Sequence, residues 1–323
     1  MNLLNFLMFA SGPSGSGSTW TERTSAGSSS WMAITSSSDG TKLAACVSSG
    51  YIYTSTDGGA TWTERTSAGS RTWKAITSSS DGSKLAACVN NGGLYTGLTG
   101  YIYTSTNGGA TWTERTSVGS RTWIAITSSS DGSKLAACAD NGYSLSGYTG
   151  YIYTSLDGGV TWNERTAAGS RSWRSIASSS DGTKLAACVY GGYIYTSTDG
   201  GATWTERTSA GSRSWMAITS SSDGSKLAAC AHNGYTYTST DGGATWTERT
   251  SAGSRFWTAI TSSSDGSKLA ACAHNGYTYT STDGGATWTQ QTSAGSREWL
   301  SIAGSSDGMK LAAGSGTFIY TSP

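Results

Sequence analysis

Charge is scarce in this chain, and what there is balances. Only 13% of the 323 residues are charged and the net charge is +1, so there is no electrostatic case for binding nucleic acid or an anionic membrane. The apolar opening Met1 to Ala10 reads MNLLNFLMFA. It is too short to cross a bilayer as a helix. With no basic residue and no evident cleavage site, it is also a poor signal peptide. Asn-x-Ser/Thr acceptors are absent, so glycosylation lends no support to a secretory route. No segment carries a helical hydrophobic period, which removes any Gly-rich phosphate loop opening a helix. The shortage of charge does not mean disorder, because 36% of residues are hydrophobic, many of them β-branched or aromatic.

Cysteine is present but misplaced for disulfides. Cys46, Cys88, Cys138, Cys188, Cys230 and Cys272 all close the same phrase, Leu-Ala-Ala-Cys. Equivalent positions in stacked sheets lie about 10 Å apart, beyond the roughly 7 Å that a disulfide tolerates between Cα atoms. Six free thiols serving as small buried apolar groups are expected. They suit synthesis in a reducing compartment and leave the final address open, a virion or cell surface included.

What the chain has in excess is tryptophan at fixed intervals. Its 14 Trp form seven pairs, and the first members are Trp20, Trp62, Trp112, Trp162, Trp204, Trp246 and Trp288. A unit of 42 to 50 residues repeated seven times indicates a propeller or solenoid. Within one unit, Trp73 to Thr77, Lys84 to Val89, Tyr101 to Ser105 and Thr111 to Arg115 read as four short strands separated by turn residues. Seven such units predict an all-β, seven-bladed propeller of four-stranded antiparallel blades. The C-terminal run Phe318 to Ser322 stops after a third strand, and Ser18 to Arg23 supplies the missing fourth. Blade 7 is therefore expected to close with the N-terminal strand, leaving residues 1–17 as a tail and linker and 18–323 as one domain.

The turn before each first Trp of a pair is the most specific motif. It reads Ser-Thr-Asp-Gly-Gly-Ala-Thr-Trp at Ser55 to Trp62 and recurs at residues 155 (with Leu156 and Val160), 197, 239 and 281, with Asn107 replacing Asp in blade 2. The carboxylate can accept turn N–H groups, and the glycines permit positive φ. This pattern resembles the Asp-box (BNR) repeat of sialidases, xyloglucan-cleaving glycosidases, sortilin-type receptors and photosystem assembly factors. The resemblance covers about residues 18 to 323. It implies the fold and a structural role for Asp57, Asn107, Asp157, Asp199, Asp241 and Asp283. It also implies a ligand face on the opposite side, built from the loops between blades and between second and third strands.

Subtracting the repeat leaves few residues to specialise that face. Among the 20 carboxylates only Asp140 and Glu298 are unique, and among the 21 Lys and Arg only Lys74 and Arg174. His232, His274, Asn90, Tyr190 and Phe256 also break the pattern, and two 8-residue insertions enlarge one side. Arg71, Arg121, Arg171, Arg213, Arg255 and Arg297 form a ring whose expected roles are structural pairing, with Glu64 and its equivalents or with the adjacent Trp, or symmetric anion binding. These residues make up the candidate binding face. Asp140 and Glu298 belong to blades 3 and 7, too far apart to serve as the carboxylate pair of a glycosidase. Two His without a fixed third ligand do not make a metal site. A non-catalytic propeller recognising glycans or proteins is therefore expected, with no cofactor. Self-assembly or partner docking through residues 1–10 goes with that reading, and a sialidase-like hydrolase is the alternative.

Overall fold

The structure is a computed structural model that describes residues 17–90, 100–140, 143–144, 147–148 and 150–323. The apolar tail, with its expected docking role, lies outside the described residues, as do the whole of the first insertion and half of the second.

Blade 2 illustrates how the repeat folds. Arg71–Ser78 forms the innermost strand, followed by Leu85–Val89, Ile102–Ser105 and Thr113–Arg115, each antiparallel to the one before. The β-branched and aromatic content of these runs, bounded by Ser-Asp-Gly and Asn-Gly-Gly turns, accounts for the strands. One irregularity recurs. Trp73 lies opposite Val89 and Ala75 opposite Cys88, so Lys74 is the extra residue of a β-bulge. The same shift occurs after Trp31, Trp123, Trp173, Trp215, Trp257 and Trp299.

The apolar core lies between blades. Each of seven clusters joins two neighbours: Ala44, Cys46 and Ile52 of blade 1 pack on Trp73, Ile76 and Leu85 of blade 2, and Ala303, Ala312 and Ile319 of blade 7 pack on Trp31, Ile34 and Leu43 of blade 1. All six cysteines are free and buried. Desolvation pushes the thiols up, Cys88, Cys188 and Cys272 to about 12, so they serve as packing groups rather than nucleophiles.

Ring closure is visible in the hydrogen bonds. The N–H of Ser38 donates to the Ser80 carbonyl at 2.7 Å, and Ser80 donates in turn to Ser130. The sequence continues through Ser180, Ser222, Ser264 and Ser306, which donates back to Ser38 at 2.7 Å. The strand Thr21–Arg23 pairs antiparallel with Ile319–Ser322, placing Thr21 opposite Thr321 and Glu22 opposite Tyr320. Blade 7 is thus shared by the two ends of the chain, as the sequence predicts.

Two blades carry a polar flaw. Thr236 and Thr278 occupy the buried position held by Ile52, Ile102, Ile152, Ile194 and Ile319, and neither hydroxyl has a hydrogen-bond partner among the described residues. Removing a desolvated, unpaired hydroxyl from a site that accepts Ile in five sister blades is expected to help. Thr236→Ile should raise stability by about 1–2 kcal/mol, read as a higher urea midpoint at unchanged slope. A lowered midpoint would contradict this reading of the site.

Candidate functional site

The antiparallel blades divide the ring into two faces. One carries the turns between first and second strands and the Asp-box turns. The other carries the turns between second and third strands and the connections between blades.

Hydrogen bonds organise the Asp-box face internally. Ser55 Oγ donates to Asp57 Oδ1 at 2.7 Å, and Thr61 donates through its N–H at 2.9 Å and its hydroxyl at 2.6 Å. The Thr61 bonds, with smaller help from Ser55, hold Asp57 at about 2. Trp62 Nε1 donates to the Gly59 carbonyl at 3.0 Å. Gly59 sits at φ 87°, and a Cβ there would lie 2.9 Å from the Thr321 methyl of the neighbouring blade. Asn107 makes a similar turn through its Oδ1, accepting from Ser105 and Thr111 at 2.9 Å each, and donates to the Thr111 hydroxyl through Nδ2. Asp157, Asp199, Asp241 and Asp283 repeat the Asp57 pattern. On the same face each repeat lysine is already committed: Lys42 Nζ donates to the Asp81 carbonyl of the next blade at 2.8 Å, and the series ends with Lys310 on Asp39 at 3.0 Å. This face repeats itself and spends its polar groups on holding blades together.

The arginine ring is also engaged. Arg71 stacks over the Tyr103 ring at 4.6 Å, and Arg121, Arg171, Arg213, Arg255 and Arg297 do the same at 4.4 to 4.7 Å from Tyr153, Tyr195, Tyr237, Tyr279 and Tyr320. The ring partner is thus a tyrosine on the third strand, not the adjacent tryptophan. Arg71, Arg121, Arg213 and Arg297 also lie 3.6 to 3.9 Å from Glu114, Glu164, Glu248 and Glu22. Each of those glutamates accepts the hydroxyl of the stacked tyrosine. A Tyr–Glu pair beside an arginine has the makings of a sialidase nucleophile. Here, however, burial and then the glutamate bond push the stacked tyrosines well above the usual phenol range, and each phenol is the donor to its glutamate. The trio recurs around the ring and converges on no single point.

The opposite face is where the blades differ. In blades 1, 4, 5 and 6 the second strand runs on past its own sheet and pairs with the first strand of the next blade. These clasps bring together residues that the sequence only flagged separately. Tyr190 lies opposite Ser214, His232 opposite Phe256, and His274 opposite Glu298. The His232 and Phe256 rings stand 3.9 Å apart, Phe256 and His274 5.0 Å, and His274 Nε2 lies 3.3 Å from Glu298 Oε1. Tyr190 and Phe256 are 45% and 37% exposed, large for aromatics that no core requires. Blades 5 to 7 therefore carry a continuous run from His232 through Phe256 and His274 to Glu298, with Tyr190 exposed on blade 4. On the other side, Asp140 accepts from Ser172 at 3.3 Å, and Asn90 donates its backbone N–H to Thr72. Asp140 and Glu298 stand in blades 3 and 7, as the sequence predicts.

Lys74 and Arg174 depart from the rest of the candidate face. They are bulge residues of innermost strands, a register in which Ile124 and Met216 pack against the clusters between blades. The same register holds Met32, Ile124, Met216, Thr258 and Leu300, all only partly buried although they lie on the innermost strands. The sequence carries the signal for this ring, since the residue after the second Trp of each pair is the least repeated position of the unit.

The BNR/Asp-box repeat profile matches residues 53–64, 195–206 and 237–248. No curated protein matches the chain in sequence. Among solved structures, the fold is similar to YCF48 from Cyanidioschyzon merolae, with a TM-score of 0.68 and 16% identity over 94% of this chain and 98% of that one. It is also similar to a structure of YCF48 bound to D1 peptide, with a TM-score of 0.69 and 15% identity over 94% and 95% of the two chains. At such identities the likeness is one of fold. The chain is a seven-bladed β-propeller built on BNR/Asp-box repeats.

Proposed function

We propose that this protein is a non-catalytic binding propeller that engages a protein segment on the face opposite the Asp boxes. The observation that carries the proposal is the arc of Tyr190, His232, Phe256, His274 and Glu298. In a chain of near-copies, departures from the repeat fall on consecutive blades and leave aromatic surface in solvent. Exposed aromatic side chains on a rigid frame supply binding area at low entropic cost. YCF48 bound to D1 peptide offers a precedent for a peptide ligand on this fold. The chemistry also favours binding over turnover: Asp140 and Glu298 are engaged in different blades, the Tyr–Glu pairs are held in the protonated-phenol state, and the thiols are buried.

The test uses substitutions that the fold already accepts at equivalent positions. Tyr190→Ser places the residue of Ser48, and Phe256→Ser that of Ser214. Peptides selected against the protein by display should lose at least about 10-fold in affinity in the double variant, equivalent to about 1.4 kcal/mol, at unchanged melting temperature. Binding that survives both changes would refute the rim as the site. Turnover of a fluorogenic sialoside that Glu298→Gln abolishes would establish the hydrolase alternative instead.

A further inference from the structure

The Asp-box face breaks its repeat at one turn. Blade 3 carries Leu156 and Val160 where the other five copies hold Thr and Ala, as at Thr56 and Ala60. These are the two most exposed large apolar side chains among the described residues, at 62% and 49%. The turn requires neither, since Asp157 accepts from Thr161 in the manner of its sisters. Two apolar side chains held in water by a turn that folds equally well without them mark a contact surface.

Val160 also borders the groove between blades 2 and 3, a cavity of about 240 Å³ whose apolar lining includes Leu85, Ala86 and Leu135. The charged residues of that groove are engaged. Lys84 Nζ donates to the Asp131 carbonyl at 2.8 Å, Arg115 Nε donates to Thr104 Oγ1 at 2.7 Å, and Asp157 is held within its turn. What remains for a ligand is chiefly apolar.

The chain contains one segment of matching chemistry. Met1 to Ala10 is apolar at every position except Asn2 and Asn5. It is joined through residues 11–16 to Gly17, whose place in the ring is set by its neighbours. A Cβ at Gly17 would lie 2.8 Å from the Thr280 methyl and 3.2 Å from Leu311 Cδ1, just as one at Gly59 would lie 2.9 Å from Thr321 and 3.2 Å from Leu43. Gly17 therefore holds the Asp-box turn position of blade 7, and the tail is attached to the face that carries Leu156 and Val160.

Reach decides whose tail docks. Blades stacked about 10 Å apart put the outer turns of blades 7 and 3 roughly 35 Å apart across the ring. The Gly/Ser-rich residues 11–17 span about 25 Å at full extension and about 15 Å on average. A molecule's own tail would spend its apolar residues bridging open solvent instead of burying them. The tail of a neighbouring molecule is under no such constraint.

We propose that the Asp-box turn of blade 3, with Leu156 and Val160, is the docking site for residues 1–10 of a second copy of this chain. Donor and acceptor stand on opposite sides of one ring, so the contact either propagates from molecule to molecule or closes by exchange between two. The surface faces away from the rim arc, and the rim reading can fail without touching it.

The sister blades supply the control substitutions. Leu156→Thr with Val160→Ala restores the residues of Thr56 and Ala60 and should leave the melting temperature unchanged. Leu4→Ser with Phe6→Ser disables the tail and keeps the turn. The experiment is light scattering of the full chain across a dilution series. Wild type should self-associate, and each double variant should need at least about 10-fold higher concentration to do so. Mixing the two variants should restore a 1:1 complex, because one retains the tail and the other the turn. A wild type that stays monomeric at every concentration would overturn the proposal. So would assembly that the turn variant leaves intact, or a mixture of variants that remains monomeric.

Discussion

A chain lacking residues 1–23 should fail to form a stable monomeric ring. The deletion removes Trp20, buried to 8% exposure beside Trp299 at 6.1 Å, and the whole outer strand of blade 7. It also strips Tyr320 of its Glu22 acceptor, Arg297 of the same glutamate at 3.9 Å, and Thr321 of the Arg23 bond at 2.7 Å. Loss of the buried Trp alone costs about 3–5 kcal/mol, against a total stability on the order of 5–15 kcal/mol. The strand Ile319–Ser322 is left with an open edge, which invites pairing with other chains. The expected outcome is a large fall in the urea midpoint with soluble aggregates in light scattering, partly reversed by a peptide of residues 17–26 added in trans. A truncated chain as stable and monomeric as the full one would contradict the shared blade.

The second large effect concerns the tryptophans that wedge neighbouring blades apart at a fixed angle. Trp215 is fully buried, meets Tyr237 edge-on at 5.0 Å, and packs against Ala186, Cys188 and Ile194 of the preceding blade. Trp215→Ala removes this wedge from one of seven interfaces. The small residues around it, mostly Ala and Cys, cannot reach in to fill the space, so the cavity term adds to the lost burial. A loss of about 3–5 kcal/mol is expected by denaturant unfolding. Because the ring is closed, the other blades hold the gap open. A loss below about 1 kcal/mol would mean that the interface relaxes and that the wedge is not what sets the blade angle.

The fold was readable because the repeat multiplies weak signals. One Ser-x-Asp-Gly-Gly-x-Thr-Trp turn says little, but its recurrence fixes strand count, blade number and the sharing of blade 7. The candidate site was readable only in part. Subtracting the repeat isolated His232, Phe256, His274 and Glu298 one at a time. Their assembly into an arc depends on clasps between blades, such as His274 opposite Glu298, and cross-blade register leaves no mark in a linear pattern. The arginine ring was legible as structural pairing with glutamates, but its tyrosine stacking partner was not. Six charges at one register also look like a ligand ring, whereas each folds back over a tyrosine 23 to 32 residues further along the chain. Lys74 and Arg174 stood out by composition, but their place at a β-bulge of the first strand is one that no residue type announces.

Closure of the ring by the two chain ends underlies every position assigned above, and a crosslink tests it most directly. Thr21 lies opposite Thr321 in the antiparallel register, so the Thr21→Cys, Thr321→Cys variant presents two thiols at strand-pair distance, close enough for a disulfide. The six native thiols are buried and stay out of the reaction. Mild oxidation should give a monomer with one internal disulfide joining residues 21 and 321, found by peptide mass mapping, and with raised thermal stability. Free thiols after oxidation, or disulfides only between molecules, would mean that the ends do not share a blade.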